Sequence, residues 1–282
     1  MNTCVVVIPV YKEIPQKPTE VASFRQCINV LANYKICLVT YKELDITWYI
    51  KTAREFGKEL CTKYYDARCF SSVQGYNSLC LSIDFYSTFA DYDYMLIYQL
   101  DAWVFRDELQ AWCDKGFDYV GAPLFQVIRF PDVYSKKMIG VGNGGLSLRR
   151  VAYCIRLLSC HKNLPFCKPK FVLEYISNKP CWRKMTPKDV LRTFIQMFGY
   201  KNNVRYYVTC GVHEDLFFSL YAGHSWTAHA NLPSVEEAKY FSFEIHPSYL
   251  YSLTRRLPFG CHAFDKWEYK SFWEKHMQHI VD

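Results

Sequence analysis

"CVVVIPVYK", Cys4 to Lys12, decides the fold. The β-branched run from Val5 to Ile8 has no polar residue alternating through it. A strand with one wet face would alternate, so this one is expected to be covered on both faces, as in a parallel sheet. The following "KPTEVASFRQCINVLANY" sets Val21, Phe24, Ile28 and Leu31 at helical spacing, with Thr19 as the expected N-cap. "KICLVTY", Lys35 to Tyr41, reads as a second buried strand. Strand, helix and strand form a βαβ unit, and they predict an α/β protein on a Rossmann-like, mostly parallel sheet flanked by helices.

The pattern continues outward from this unit. A polar helix is expected around Ile46 to Leu60 and a short strand near Tyr64. "QGYNSLCLSIDFYSTF" puts Tyr76, Leu79, Cys80, Ile83 and Tyr86 on one face of a single helix, which leads into the buried strand "DYDYMLIY", Asp91 to Tyr98. Past about residue 105 the character changes. "DELQAWCDKG" reads as a short helix, "DYVGAP" as a short strand, "QVIRFPDVYSKKM" as an irregular loop, and "IGVGNGGLSLRR" as a strand with a glycine-rich lead-in. "MTPKDVLRTFIQMF" begins as a helix, with Thr186 as N-cap and Pro187 at the first position; "PSVEEAKYFSFE" repeats a capped start at Ser234. No internal repeat or Pro/Gly/Ser-rich linker divides the chain, so residues 1–282 are expected to form one unit.

Half of the residues are hydrophobic, enough for a large core, and 23 Tyr and 20 Phe suit partly wet clefts for sugars or nucleotides. The net charge of +7 favours nucleotides, phosphates or anionic lipid heads. Its basic residues are scattered through "KKM" at Lys136, "CWRKMTPK" from Cys181 and "TRR" at Arg255, not drawn into the continuous stripe of a nucleic-acid binder. The 13 cysteines include no C-x-x-C pair, and Cys4, Cys37 and Cys80 fall at core positions, as expected in a reducing cytoplasm. "CHKNLPFC", Cys160 to Cys167, has the spacing of no common zinc site. No leader and no apolar run of about 18 residues is visible, which predicts a soluble protein or one peripheral to a membrane.

Four features carry candidate chemistry. Asp101 follows the strand "LIYQL" at the carboxyl end where parallel sheets bind ligands; capping the strand is the plainer alternative. "GVGNGG", Gly140 to Gly145, lets backbone approach a ligand or turn tightly. It is neither a P-loop nor a dinucleotide fingerprint. "HED", His213 to Asp215, opens a helix, where acids are favoured by the dipole by about 0.3–1 kcal/mol and where one of them can also serve as a general base. His262 in "PFGCHAF" reads either as a core histidine or, with Asp101, as half of a metal site completed by phosphate oxygens and water.

In this order and spacing the motifs resemble the GT-A glycosyltransferases. Those enzymes carry an aspartate metal motif at a strand end, a glycine-rich loop, an "xED" motif at a helix start and a late histidine. "YQLDAWVF", "YVGAP", "GNGGLSLR" and "HEDLFF" more closely resemble a bacterial and fungal family of predicted glycosyltransferases known mainly as a domain of unknown function. One departure stands out: Gln99 replaces the first acid of the usual D-x-D, leaving Asp101 and His262 as the metal ligands.

The resemblance implies a nucleotide-binding half, 1–105, and an acceptor and catalytic half, 106–282. It implies a nucleotide-sugar donor, UDP-linked by preference, lying near Pro9, Val10, Tyr11, Tyr76, Asn77 and Gln99. Mn²⁺ or Mg²⁺ would be held by Asp101 and His262, and Asn143, Gly144 and Gly145 would shape the sugar pocket. Asp215 would be the base, with Glu214 as the alternative, in an inverting transfer of a hexose to a glycan or lipid-linked acceptor of polysaccharide biosynthesis. The acceptor or inner membrane face would be met by Lys168 to Lys201. A sugar- or anion-binding module and a nucleotidyltransferase are the other readings; the latter would need a glycine-bearing phosphate loop, which "PVYKEIPQKP" lacks.

Overall fold

The computed structural model describes residues 2–129, 133–159, 186–188, 191, 194–195, 204–210, 212–222 and 229–277. β1 (Cys4–Pro9), β2 (Lys35–Thr40) and β3 (Cys61–Tyr64) lie side by side and parallel, and β4 (Tyr94–Tyr98) joins the free edge of β1, also parallel. The chain adds strands on one side of β1 and then crosses to the other. That reversal opens a crevice beyond the carboxyl ends of β1 and β4, the place where open α/β sheets bind ligands.

Two short strands follow, β5 (Trp103–Val104) and β6 (Tyr119–Val120), then β7 (Ala122–Arg129), β8 (Val133–Gly142) and β9 (Leu146–Arg150). β9 runs antiparallel between β4 and β6, which gives the main sheet the order β3-β2-β1-β4-β9-β6. The expected mostly parallel α/β sheet is the one found.

The unbroken apolar runs are explained by helices on both faces. Val6, Ile8 and Leu96 pack under α1 (Pro18–Val30) and α2 (Thr47–Glu55), against Phe24, Ile28 and Tyr49. Val5, Val7 and Ile97 face α3 (Val73–Cys80), α4 (Ile83–Ser87) and α6 (Val151–Leu158), against Leu79, Phe85, Tyr86 and Leu157. Each such side chain, taken fully out of water, contributes about 1.5–3 kcal/mol. The short α5 (Leu109–Asp114) closes the first layer through Trp112.

Several expectations are corrected. α1 is capped at Lys17, not Thr19: Pro18 takes the first helical position, where its missing N–H costs nothing, and Glu20 accepts the N–H of Gln16 at 3.0 Å. The single helix expected through Tyr86 is two, because Ser82 leaves the helical region and caps α4 by accepting the N–H of Phe85. The loop expected around "QVIRFPDVYSKKM" belongs to the β7–β8 hairpin; register shifts after Leu124, Phe125 and Val127 break the alternation that would have revealed it. Cys4, Cys37 and Cys80 are buried free thiols, as expected of core residues. The Cys160–Cys167 cluster, most of the "MTPKDVLRTFIQMF" helix and the basic Lys168–Lys201 stretch fall largely or wholly outside the described residues.

The last described part runs through α7 (Val204–Cys210), α8 (Glu214–Leu216), which continues as a wider turn over Phe217–Tyr221, and α9 (Val235–Phe241), capped at Ser234 as expected. β10 (Ser242–Phe243), α10 (Pro247–Thr254) and β11 (Gly260–Cys261) follow. β11 pairs with β10 in parallel and with β5 antiparallel, forming a small second sheet. No helix among the described residues is long and apolar enough to cross a membrane.

Candidate active site

The small second sheet assembles the site. Its Phe243↔Cys261 and Cys261↔Trp103 pairings put the residues after β10 and β11, and those just before β5, at one edge. Those residues are Glu244, His262 and, two positions ahead of Trp103, Asp101. The His262 N–H donates to the Phe243 carbonyl at 3.0 Å, which locks the register. The His262 ring therefore lies between two carboxylates, with Nε2 3.2 Å from Asp101 Oδ1 and Nδ1 3.3 Å from Glu244 Oε1. Burial alone would favour the neutral ring, but Asp101 and then Glu244 outweigh it and push the imidazole up to about 10. Burial likewise works against ionised Asp101; the imidazolium beside it prevails and holds the carboxyl below its ordinary value.

The glycine-rich turn makes room for this ring. Gly145 lies opposite Gln99, whose N–H donates to the Gly145 carbonyl at 2.8 Å, extending the β4–β9 pairing by one residue. A Cβ on Gly145 would come within 2.0 Å of His262 Nε2, and one on Gly144 within 2.2 Å of Glu214 Oε1. Asn143 turns the chain at φ 80°, a region Asn tolerates, and its Oδ1 accepts the Gly145 N–H at 2.8 Å. Its amide Nδ2 is a buried donor with no partner among the described residues.

The two acids of "HED" have different surroundings. Glu214 is buried and meets Arg149 through both oxygens, Oε2 to Nη1 at 2.8 Å and Oε1 to Nη2 at 3.0 Å. Arg149, fully buried, also donates to Tyr86 Oη at 2.9 Å and to Ser147 Oγ at 3.0 Å, with Tyr119 and Phe218 flanking its guanidinium. Burial disfavours that charge, yet Glu214 keeps the guanidinium firmly protonated. Both Glu214 oxygens thus face Arg149. Asp215 instead accepts the Asn143 N–H through Oδ2 at 3.0 Å. Burial raises its carboxyl above the ordinary value; the N–H groups of Leu216 and Asn143 pull it back, and the charge of Glu244 adds to the rise.

The other expected site residues divide into two groups. Asn77 supports the acids, its Oδ1 accepting the Glu214 N–H at 3.4 Å, and the Tyr76 hydroxyl is buried with no partner among the described residues. Pro9 and Val10 are buried, whereas Tyr11 is exposed. Lys17, paired with Asp265 at 2.5 Å, lends its charge to Asp101. Arg149 and Glu244 are additions that the sequence reading did not single out.

Asp101 and His262 present donor types that a divalent cation can take. His262 Nε2 is buried and makes no aligned hydrogen bond, although Asp101 Oδ1 is near, and one oxygen and one nitrogen donor suit Mn²⁺ or Mg²⁺. No group of three or more His, Cys, Asp or Glu converges on one point among the described residues, so a cation there would fill its remaining positions with water, or with phosphate oxygens when substrate is bound.

Solved structures to which the chain is similar include a glycosyltransferase involved in the glycosylation of the major capsid of PBCV-1, at 8% identity over 98% of this chain and 99% of that one, with a TM-score of 0.44. Others are the galactosyltransferase LgtC in complex with donor and acceptor sugar analogues (11%, 92% and 86%, 0.44) and mouse xyloside xylosyltransferase 1 in its apo form (11%, 93% and 97%, 0.44). No curated protein matches the sequence. The family described as "Protein of unknown function (DUF5672)" matches residues 59–262, from just before β3 to the site histidine, and the chain belongs to that family.

Proposed function

We propose that the protein is a glycosyltransferase that moves a hexose from a nucleotide-sugar, UDP-linked by preference, to a hydroxyl of a glycan or glycolipid-type acceptor, with inversion. One observation carries the reading. Asp101 and His262 meet at 3.2 Å beyond the end of β4, beside the sheet's reversal point, with Asp215 held nearby by the turn that accommodates His262. A pure binding module has no need of such a constellation.

Asp101 Oδ1 and His262 Nε2 would hold Mn²⁺ or Mg²⁺ against the donor's diphosphate. The cation, when bound, supplies Lewis-acid stabilisation of the negative charge on the leaving nucleoside diphosphate. The exposed Tyr11 ring is available to stack on the base, and the spare Asn143 Nδ2 to donate to the sugar. Asp215 takes the acceptor hydroxyl's proton as that oxygen attacks the anomeric carbon. The bond from that carbon to the phosphate oxygen breaks, and its electron pair leaves with the diphosphate. A carboxyl raised by burial is the better base for this step. Single displacement is supported because Glu214 is tied to Arg149 and Glu244 to His262, leaving neither as a free nucleophile.

The test is thermal unfolding with UDP, GDP, CDP and dTDP, each with Mn²⁺, Mg²⁺ or EDTA. A ligand at 100 times its Kd adds about 2.7 kcal/mol. Metal-dependent stabilisation by one nucleotide is the expected result. No response to any of them overturns the reading in favour of a module without a nucleotide site.

A further inference from the structure

We propose that Glu244 is a positioning residue for the cation site: its carboxylate takes the Nδ1–H of His262 and so aims Nε2 at the space shared with Asp101. The proposal rests on the reading of Asp101 and His262 as a cation site. A carboxylate only accepts, so the 3.3 Å contact at Nδ1 places the hydrogen on the ring. With Glu244 keeping the proton on Nδ1, Nε2 is the nitrogen from which an arriving cation displaces the proton and takes the lone pair, and Nε2 is the buried ring atom lacking an aligned hydrogen bond. A carboxylate on the far nitrogen also makes the ring a better donor.

The backbone enforces this arrangement. β10 and β11 are parallel and in register at Phe243↔Cys261, and the His262 N–H is bonded to the Phe243 carbonyl, so Glu244 and His262 leave the small sheet as neighbours. Gly145, on the opposite wall, leaves the ring only the space that a Cβ would fill. Glu244 therefore fixes the ring's orientation from one side while Gly145 limits it from the other. Asp101 needs no such support, since its position follows from the turn closed by the Ala102 N–H to the Gln99 carbonyl at 2.9 Å.

The experiment is Mn²⁺ titration of the full chain, with free Mn²⁺ read by electron paramagnetic resonance and no nucleotide present. It compares wild type, Asp101→Ala, Glu244→Ala and Glu244→Gln, each checked for a cooperative thermal transition. Wild type should bind one Mn²⁺, and Asp101→Ala should lose it. Glu244→Ala should weaken it by about 10–100-fold, the usual consequence of losing an outer-shell partner. Glu244→Gln should recover most of the affinity, because its amide oxygen still accepts from Nδ1. Glu244→Met, run alongside, fills the space but cannot accept from Nδ1 and should stay as weak as Glu244→Ala, which a merely space-filling role would not show. Equal affinity in Glu244→Ala and wild type, with Asp101→Ala impaired, overturns the role of Glu244 and leaves the cation site standing. Absence of any Mn²⁺ binding by wild type overturns the cation site, and the role of Glu244 with it.

Discussion

His262 Nε2 occupies the volume that a Cβ on Gly145 would need, the two being only 2.0 Å apart. The turn into β9 and the residue after β11 are far apart in sequence yet share one wall of the site. Gly145→Ala must therefore move either the ring or the turn, and the turn is pinned by the Gln99 N–H at 2.8 Å. We expect overpacking to cost about 1–3 kcal/mol in urea unfolding. Metal-dependent nucleotide stabilisation should fall by a larger factor than the fold does. Wild-type stability together with wild-type metal response would show that the wall is softer than this geometry allows.

Asp215 and Glu214 are adjacent in sequence and separable by experiment. Asp215→Asn keeps the side chain's shape and its acceptance of the Asn143 N–H, but an amide cannot take a proton. Transfer should drop by about 10²–10⁴-fold, with nucleotide affinity and unfolding midpoint close to wild type. Turnover within a few-fold of wild type would remove Asp215 from the role of base.

The legible part of this molecule was whatever its local pattern announces. The runs at Val5 and Ile36 specify a doubly covered strand because nothing polar interrupts them; Asp101 and His262 follow apolar stretches, and Asp215 opens a helix just ahead of one. Arg149 was not legible. In "LSLRR" it resembles an outward-facing basic residue, and it is buried only because Glu214, 65 residues later, and Tyr86 meet it inside. Glu244 had the same signal as Asp101, a carboxylate straight after buried apolar residues, but its strand is only two residues long, too short to register as a pattern. The β7–β8 hairpin was hidden by its bulges, which shift the apolar positions off a period of two.

The Arg149–Glu214 pair predicts a stability effect without a direct catalytic one. Glu214→Ala strands a guanidinium with no solvent exposure, and breaking such a buried pair costs about 3–5 kcal/mol. Arg149→Met with Glu214→Leu together should recover much of that loss, since the remaining apolar surroundings, Tyr119 and Phe218, suit neutral side chains. Chemical denaturation of both single variants and the double variant closes the cycle. Additive losses in the double variant would mean that the two side chains do not act as a pair.

His262 predicts how stability depends on pH. Its ring is raised from an ordinary value of 6.5 to about 10, so between those limits the folded chain holds a proton that the unfolded chain releases. The stabilisation from its two carboxylate neighbours is therefore complete below pH 6.5 and is lost as pH rises toward about 10, with a slope of at most about 1.4 kcal/mol per pH unit. Cys61 works in the opposite direction over part of this range, because contact with Cys37 draws its thiol down to about 7 against the effect of burial. Comparing wild type with His262→Asn cancels that contribution, since Cys61 lies on β3 and is untouched by the change. Urea unfolding at intervals from pH 6 to 10 should show the two stability curves converging as pH rises. Curves that stay parallel across the range would mean that the imidazole carries no extra proton in the folded protein, and that Asp101 and Glu244 do not hold it charged.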